Sequence, residues 1–125
     1  MLKALNNIKM KGISAKISKL RLKMETLEAQ AKQKQEELEA IQAKLNFHIG
    51  FCSTPIPIPP DYKTNPEASK RYGLKKSEQF QVQQLIKEEI SAEIEAVSKL
   101  NIINSRIHNF KSEIEYLEKY LESKI

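Results

Sequence analysis

Glycine occurs only three times in the 125 residues, cysteine once and tryptophan not at all. Sheet folds turn every few residues and draw on glycine to do so, so the shortage excludes a mixed sheet. The five prolines are Pro55, Pro57, Pro59, Pro60 and Pro66, which leaves long stretches on either side free of helix breakers. Cys52 has no second cysteine to pair with, and a reducing compartment is the expectation. Aromatic residues make up 6% of the chain, which argues against an ordinary compact domain. No apolar run approaches the roughly 18 to 20 residues of a membrane span. The opening MLKALNNIKMKG spaces its apolar residues helically and never forms a signal-peptide core. The expected location is therefore cytoplasmic, without direct membrane insertion.

Catalytic patterns are missing as well. His48 and His108 each fall at the edge of an apolar stripe, and Cys52 has no acid–base pair beside it in sequence. Neither metal-ligand spacing nor a phosphate-binding glycine loop occurs. The adjacent acids Glu36-Glu37 and Glu88-Glu89 read as ordinary helix-surface residues. These features predict a non-enzyme with no catalytic site, no cofactor and no metal.

What the chain does have is periodicity. From Met10 the apolar positions alternate steps of three and four through Ile13, Ile17, Leu20, Met24, Leu27, Ala31, Leu38, Ile41 and Leu45, broken only by Lys34 and His48. This is a heptad seam with Met10 at an a position, and its 3.5-residue period favours a left-handed supercoil. Leu2, Leu5 and Ile8 extend the stripe with a slight change of phase. In the second half Leu100, Ile103, Ile107, Phe110, Ile114, Leu117 and Leu121 follow the same alternation. Upstream of them Val82, Ile86, Ile90, Ile94 and Val97 drift toward steps of four, which reads as a stutter.

Between the two seams, CSTPIPIPPDYKTNPEASKRYG contains every proline. Alternating X-Pro forces extended or polyproline-like backbone, so the first helix should stop near residue 50. Asn65 followed by Pro66 could cap a helical turn, and Ser77 is a second helix start. The expected fold is all-α: two long helices, about 2–48 and 76–125, forming an antiparallel coiled-coil hairpin. An irregular Pro-rich connector, about 49–75, would join them, the whole being one coiled-coil domain over 1–125. At 1.5 Å per residue each helix would be about 70 Å long, with no enclosed pocket between them.

Charge is unevenly spread. Residues 1–24 contain seven cations (Lys3, Lys9, Lys11, Lys16, Lys19, Arg21 and Lys23) and no acid, whereas the whole chain carries only +5. Cations near a helix N-terminus oppose the macrodipole, so local helix energetics does not account for them. Lys9, Lys16 and Lys23 occupy successive g positions. In an antiparallel pair these face the g positions Lys99, Arg106, Glu113 and Tyr120, of which only Glu113 is a counter-charge. A solvated basic face is one reading, and a surface for an acidic protein partner is the other. Nucleic acid fits poorly, because apolar seam residues recur through the basic segment where a basic-region helix would be continuously polar. A membrane surface would compete for a stripe the seam already uses.

A second candidate surface is the connector. Phe47, Ile49, Phe51, Tyr62, Tyr72, Leu74 and Phe80 cluster around it; some would tuck over the tip and the rest would be available to anchor a partner.

The basic heptad start Leu2-x-x-Leu5-x-x-Ile8-Lys9, the chain length, and two helical halves around an irregular middle resemble the central-stalk proteins of type III secretion ATPases, flagellar and virulence-associated. The resemblance implies a non-enzymatic stalk whose paired ends enter the pore of a hexameric secretion ATPase, promoting its assembly and activity. It implies a cytoplasmic location at the base of a membrane-embedded apparatus. Lys9, Lys11, Lys16, Lys19, Arg21 and Lys23 would meet acidic pore loops. Phe51, Tyr62 and Tyr72 would face the export gate or a secretion chaperone. The competing expectation is a prefoldin-like chaperone or a generic coiled-coil adaptor, although PIPIPP opposes the strand pairing of prefoldins.

Overall fold

The computed structural model describes the backbone from Leu2 to Lys124. Met1, Ile125 and the side chains of Leu2 and Lys3 lie outside the described residues, and with them what Leu2 and Lys3 were expected to add to the stripe and the basic end. The fold is all-α. Helix α1 runs Leu2–Ser53 and helix α2 runs Pro66–Lys124, and no strand occurs among the described residues. Contacts divide the chain into two units: Met1–Glu36 with Ser98–Ile125, and Glu37–Val97.

In the first unit the two helix segments pack antiparallel. Ile17, Leu20 and Ile114 form its buried centre, and Ile13, Met24, Phe110, Leu117 and Leu121 pack around them. All are a or d positions of the expected seam. Leu5 and Ile8, by contrast, are 56% and 66% exposed. Counting back from Met10, the seam positions would be Asn6 and Lys3, so the change of phase carries Leu5 and Ile8 off the seam.

The second unit is a helical hairpin closed by the connector. Along α1 burial follows Leu38, Ile41, Leu45 and His48 in alternating steps of three and four, with Gln42 and Cys52 also half-buried. Along α2 the expected stutter is absent. Burial follows Val82, Ile86, Glu89, Glu93 and Ala96, a strict continuation of three and four that meets Leu100 in phase. Ile90, Ile94 and Val97 each sit one residue past a seam position and are 43%, 66% and 37% exposed. A heptad shared with α1 outweighs the local hydrophobicity of three side chains, because leaving phase would unseat every later seam residue.

The connector is shorter than its sequence suggests. α1 continues to Ser53, since Pro55 disfavours helical backbone only at the residue before it, Thr54. Side chains take up carbonyls at the end of α1 and just beyond it: Ser53 Oγ donates to Ile49 O (2.7 Å), Thr54 Oγ1 to Gly50 O (3.0 Å), and Gln79 Nε2 to Thr54 O (2.8 Å). α2 begins at Pro66, ten residues before the expected start. Asn65 is its cap: Asn65 Oδ1 accepts from the Glu67 amide at 3.1 Å, and Pro66 at the first position has no amide to leave unsatisfied. Asp61 holds the cap from behind, accepting from Asn65 Nδ2 at 2.8 Å and, through its carbonyl, from the Asn65 amide at 2.8 Å. Ser77 is interior to the helix, as are Gly12, Gly50 and Gly73.

Candidate protein-binding surfaces

The basic residues of α1 divide into two groups. Lys16 pairs with Glu113 at 3.4 Å, which is the g-to-g contact that the antiparallel heptad register calls for. Arg21 pairs with Glu118 across the opposite flank of the same helix pair, a counter-charge that the g-position argument overlooks because both residues are at e. Two of the six expected partner-binding cations are thus committed internally, and both pairs are exposed enough to contribute about 1 kcal/mol or less each. Lys9, Lys11, Lys19 and Lys23 are exposed and make no ion pair among the described residues.

One heptad beyond the Lys16–Glu113 contact, the same register sets Lys23 opposite Arg106. Both line an open groove of about 570 Å³ whose floor includes Leu27 and Phe110, with Thr26 and Asn109 on its walls. Glu113, already paired with Lys16, closes one end. Toward the ends of the helix pair, Lys9 and Met10 line a smaller depression with Tyr120 and Lys124.

At the connector, Ile56 and Pro59 are half-buried, whereas Pro55, Pro57, Ile58 and Pro60 are exposed. Residues 56–61 line a groove of about 450 Å³ together with Ala68, Arg71, Tyr72 and Lys75.

The three aromatic residues expected to face a partner separate here. Tyr72 is only 9% exposed, so it is not available as a surface anchor. Its ring meets Tyr62 edge-on, with centroids 5.1 Å apart, and Lys76 Nζ lies 4.7 Å from its centre. A hydrogen bond to Tyr72, followed by the charge of its phenolate, raises the Lys76 ammonium above its ordinary range. Tyr72 holds the strap to α2 and is structural. Phe51 and Tyr62 are exposed by 40% and 37%, and the more accessible apolar side chains are Phe47, Ile58, Leu74 and Phe80. Phe47 was legible as exposed, because it lies two residues from the seam position Leu45.

The second unit also half-buries a polar pair. His48 Nδ1 lies 2.7 Å from Glu89 Oε1, with both side chains about four-fifths covered, and neither His48 Nδ1 nor Glu89 Oε2 has a hydrogen-bond partner. Glu89 is therefore a seam residue and not the surface acid its sequence neighbourhood suggests.

Among the described residues no group of three or more His, Cys, Asp or Glu side chains gathers as metal ligands. No helix there is long and apolar enough to cross a membrane. No family model matches the chain, and no curated protein and no solved structure does either.

Proposed function

We propose that the chain is a non-enzymatic coiled-coil subunit that binds protein partners through two separate surfaces, as the central stalk of a type III secretion ATPase. The observation that carries this reading is the set of cations beside the first unit's seam: Lys9, Lys11, Lys19 and Lys23 are exposed, uncommitted and joined by no exposed acid on α1 before Glu25. A narrow two-helix unit with a basic flank can enter a ring lined by acidic loops, and an asymmetric insert contacts the ring's subunits differently. Differential contacts of that kind are what bias conformations. Lys16 and Arg21, being paired, contribute less than the sequence alone implies. Phe47, Phe51, Ile58 and Tyr62 in the second unit would serve the export gate or a secretion chaperone. The work would take place in the cytoplasm.

The test is reconstitution with the secretion ATPase of the same cell, comparing the native chain with the triple charge reversal Lys9→Glu, Lys11→Glu and Lys19→Glu. The reading requires native helicity and a loss of most of the ATPase stimulation. Full stimulation by the reversed protein removes the charge-guided stalk. A stable hexamer of the chain alone, measured by light scattering, would instead favour a prefoldin-like assembly.

A further inference from the structure

We propose that the groove between Lys23 and Arg106 is a docking site for an acidic partner segment, in which one carboxylate bridges the two cations and an adjacent apolar side chain rests on Leu27 and Phe110. The inference deepens the stalk reading by naming the chemistry of one contact, and it rests on that reading only in taking the partner to be a protein.

Three observations converge. First, the charge pattern along the helix pair is complementary where residues meet: Lys16 faces Glu113 on one flank and Arg21 faces Glu118 on the other. Lys23 opposite Arg106 breaks that pattern. Like charges at facing flank positions repel, and nothing within the described residues neutralises either one. Glu113, the acid nearest along this flank, is committed to Lys16. Second, the break coincides with the groove of about 570 Å³, which keeps the two cations on its rim. Third, the floor is apolar. Leu27 and Phe110 are seam residues that remain half-buried, so a visitor that brings an apolar side chain covers surface the two helices leave open.

Charge complementarity and an apolar floor together select the occupant. A phosphate backbone or an anionic headgroup would answer the cations but leave the floor wet. An acidic amphipathic peptide answers both, and the bridging carboxylate would turn an internal repulsion into two charge-assisted hydrogen bonds. Thr26 Oγ1 donates to Leu22 O at 3.0 Å and keeps its lone pairs free for a backbone amide of the visitor.

The experiment uses the full chain and a fluorescein-labelled peptide of repeating Leu-Glu-Glu units, read by fluorescence anisotropy. Saturable binding is expected, weakened about tenfold by Lys23→Gln and again by Arg106→Gln, since each removes one charged contact. Circular dichroism confirms that both variants keep their helix content. Lys32→Gln with Lys44→Gln, two exposed cations outside the proposed binding set, should leave the affinity within about twofold. Equal weakening by the Lys32 and Lys44 pair, or undiminished binding of a Ser-Glu-Glu peptide, overturns the groove in favour of diffuse attraction. Tighter binding of duplex DNA or phosphatidylserine vesicles overturns the peptide occupant, and absence of saturable binding overturns the proposal. The stalk reading fails separately: ATPase stimulation that survives reversal of Lys9, Lys11 and Lys19 removes the stalk and leaves the peptide result intact.

Discussion

The two units use the same heptad and spend their side chains in opposite ways. In the first, apolar residues fill the seam from Met10 to Ala31 and from Leu100 to Leu121, with Lys34 a polar seam position beyond them and Ile17, Leu20 and Ile114 buried to 5–7% exposure. In the second, polar residues enter the seam at His48, Glu89 and Glu93, while Ile90, Ile94 and Val97 lie outside it. A coiled coil with an apolar seam is stabilised by burial and discriminates weakly between alignments a whole heptad apart. One with a half-buried polar pair gives up stability and gains a preferred alignment. Under the proposed function, partner contacts would fall on different chemistry: exposed cations in the first unit, uncovered apolar side chains in the second.

The largest expected effect tests the first half of that contrast. Ile114→Ala removes a side chain at the centre of the first unit's cluster and should cost about 2–4 kcal/mol. Urea unfolding together with amide exchange will show where the loss falls. Faster exchange confined to residues 10–27 and 107–121 matches a unit held by its own seam. Uniform loss across both units would erase the distinction between them.

The second test addresses the polar pair. His48→Leu leaves Glu89 half-buried beside an apolar side chain and should destabilise by about 1–3 kcal/mol. The double variant His48→Leu, Glu89→Leu should recover that loss or exceed the native stability, because two leucines at facing seam positions pack as the rest of the seam does. The recovered protein should also self-associate more readily, which sedimentation velocity reads directly. A double variant as weak as the single one would mean the pair stabilises the fold instead of aligning it.

How much of this was visible in the residues depends on where two periodicities compete. The first helix offers one phase from Met10 to Leu45, and Lys34 and His48 are seen as interruptions on the stripe because their neighbours leave no alternative. In the second helix two phases run side by side: Glu89, Glu93 and Ala96 against Ile90, Ile94 and Val97. Local hydropathy favours the isoleucines. The facing helix decides for the acids, and its register is a non-local quantity that a single helix cannot display. Tyr72 was misassigned for a similar reason, since its burial depends on the strap folding back from Pro55–Pro60. The end of α1 at Ser53 follows from a rule about the residue before proline, and the cap at Asn65 was recognisable as a possibility. Their consequence, a connector reduced to residues 54–65, needed both at once. The basic flank was plain in the composition, but the Arg21–Glu118 pair was not, because it joins e positions that only the antiparallel register brings together.

A third, smaller effect sits near the connector. Gly73 lies inside α2, and a Cβ there would meet no atom within 4 Å. Gly73→Ala should therefore stabilise the second unit by about 1 kcal/mol, through a less disordered unfolded chain and better helix propensity. The shift appears as a higher urea midpoint with unchanged slope. A loss of stability would indicate that the first turns of α2 need freedom the structure does not reveal.

The smallest effect bears most directly on the flanks. Lys23→Glu converts the like-charge pairing of Lys23 with Arg106 into an attractive one, and at exposed positions this is worth roughly 0.3–0.5 kcal/mol. Lys16→Glu, which breaks the Lys16–Glu113 pair, should lose a similar amount. Opposite signs from two identical substitutions one heptad apart cannot come from helix propensity or net charge, both of which change equally. The difference isolates the partner across the seam, and it should shrink in 1 M salt as exposed charges are screened. Equal signs would mean that Arg106 does not feel Lys23, and the groove would lose the repulsion that makes an acidic visitor favourable. A stabilised Lys23→Glu protein that no longer binds the acidic peptide would show a native lysine kept at some cost to the fold, which is the signature of a residue placed for its partner.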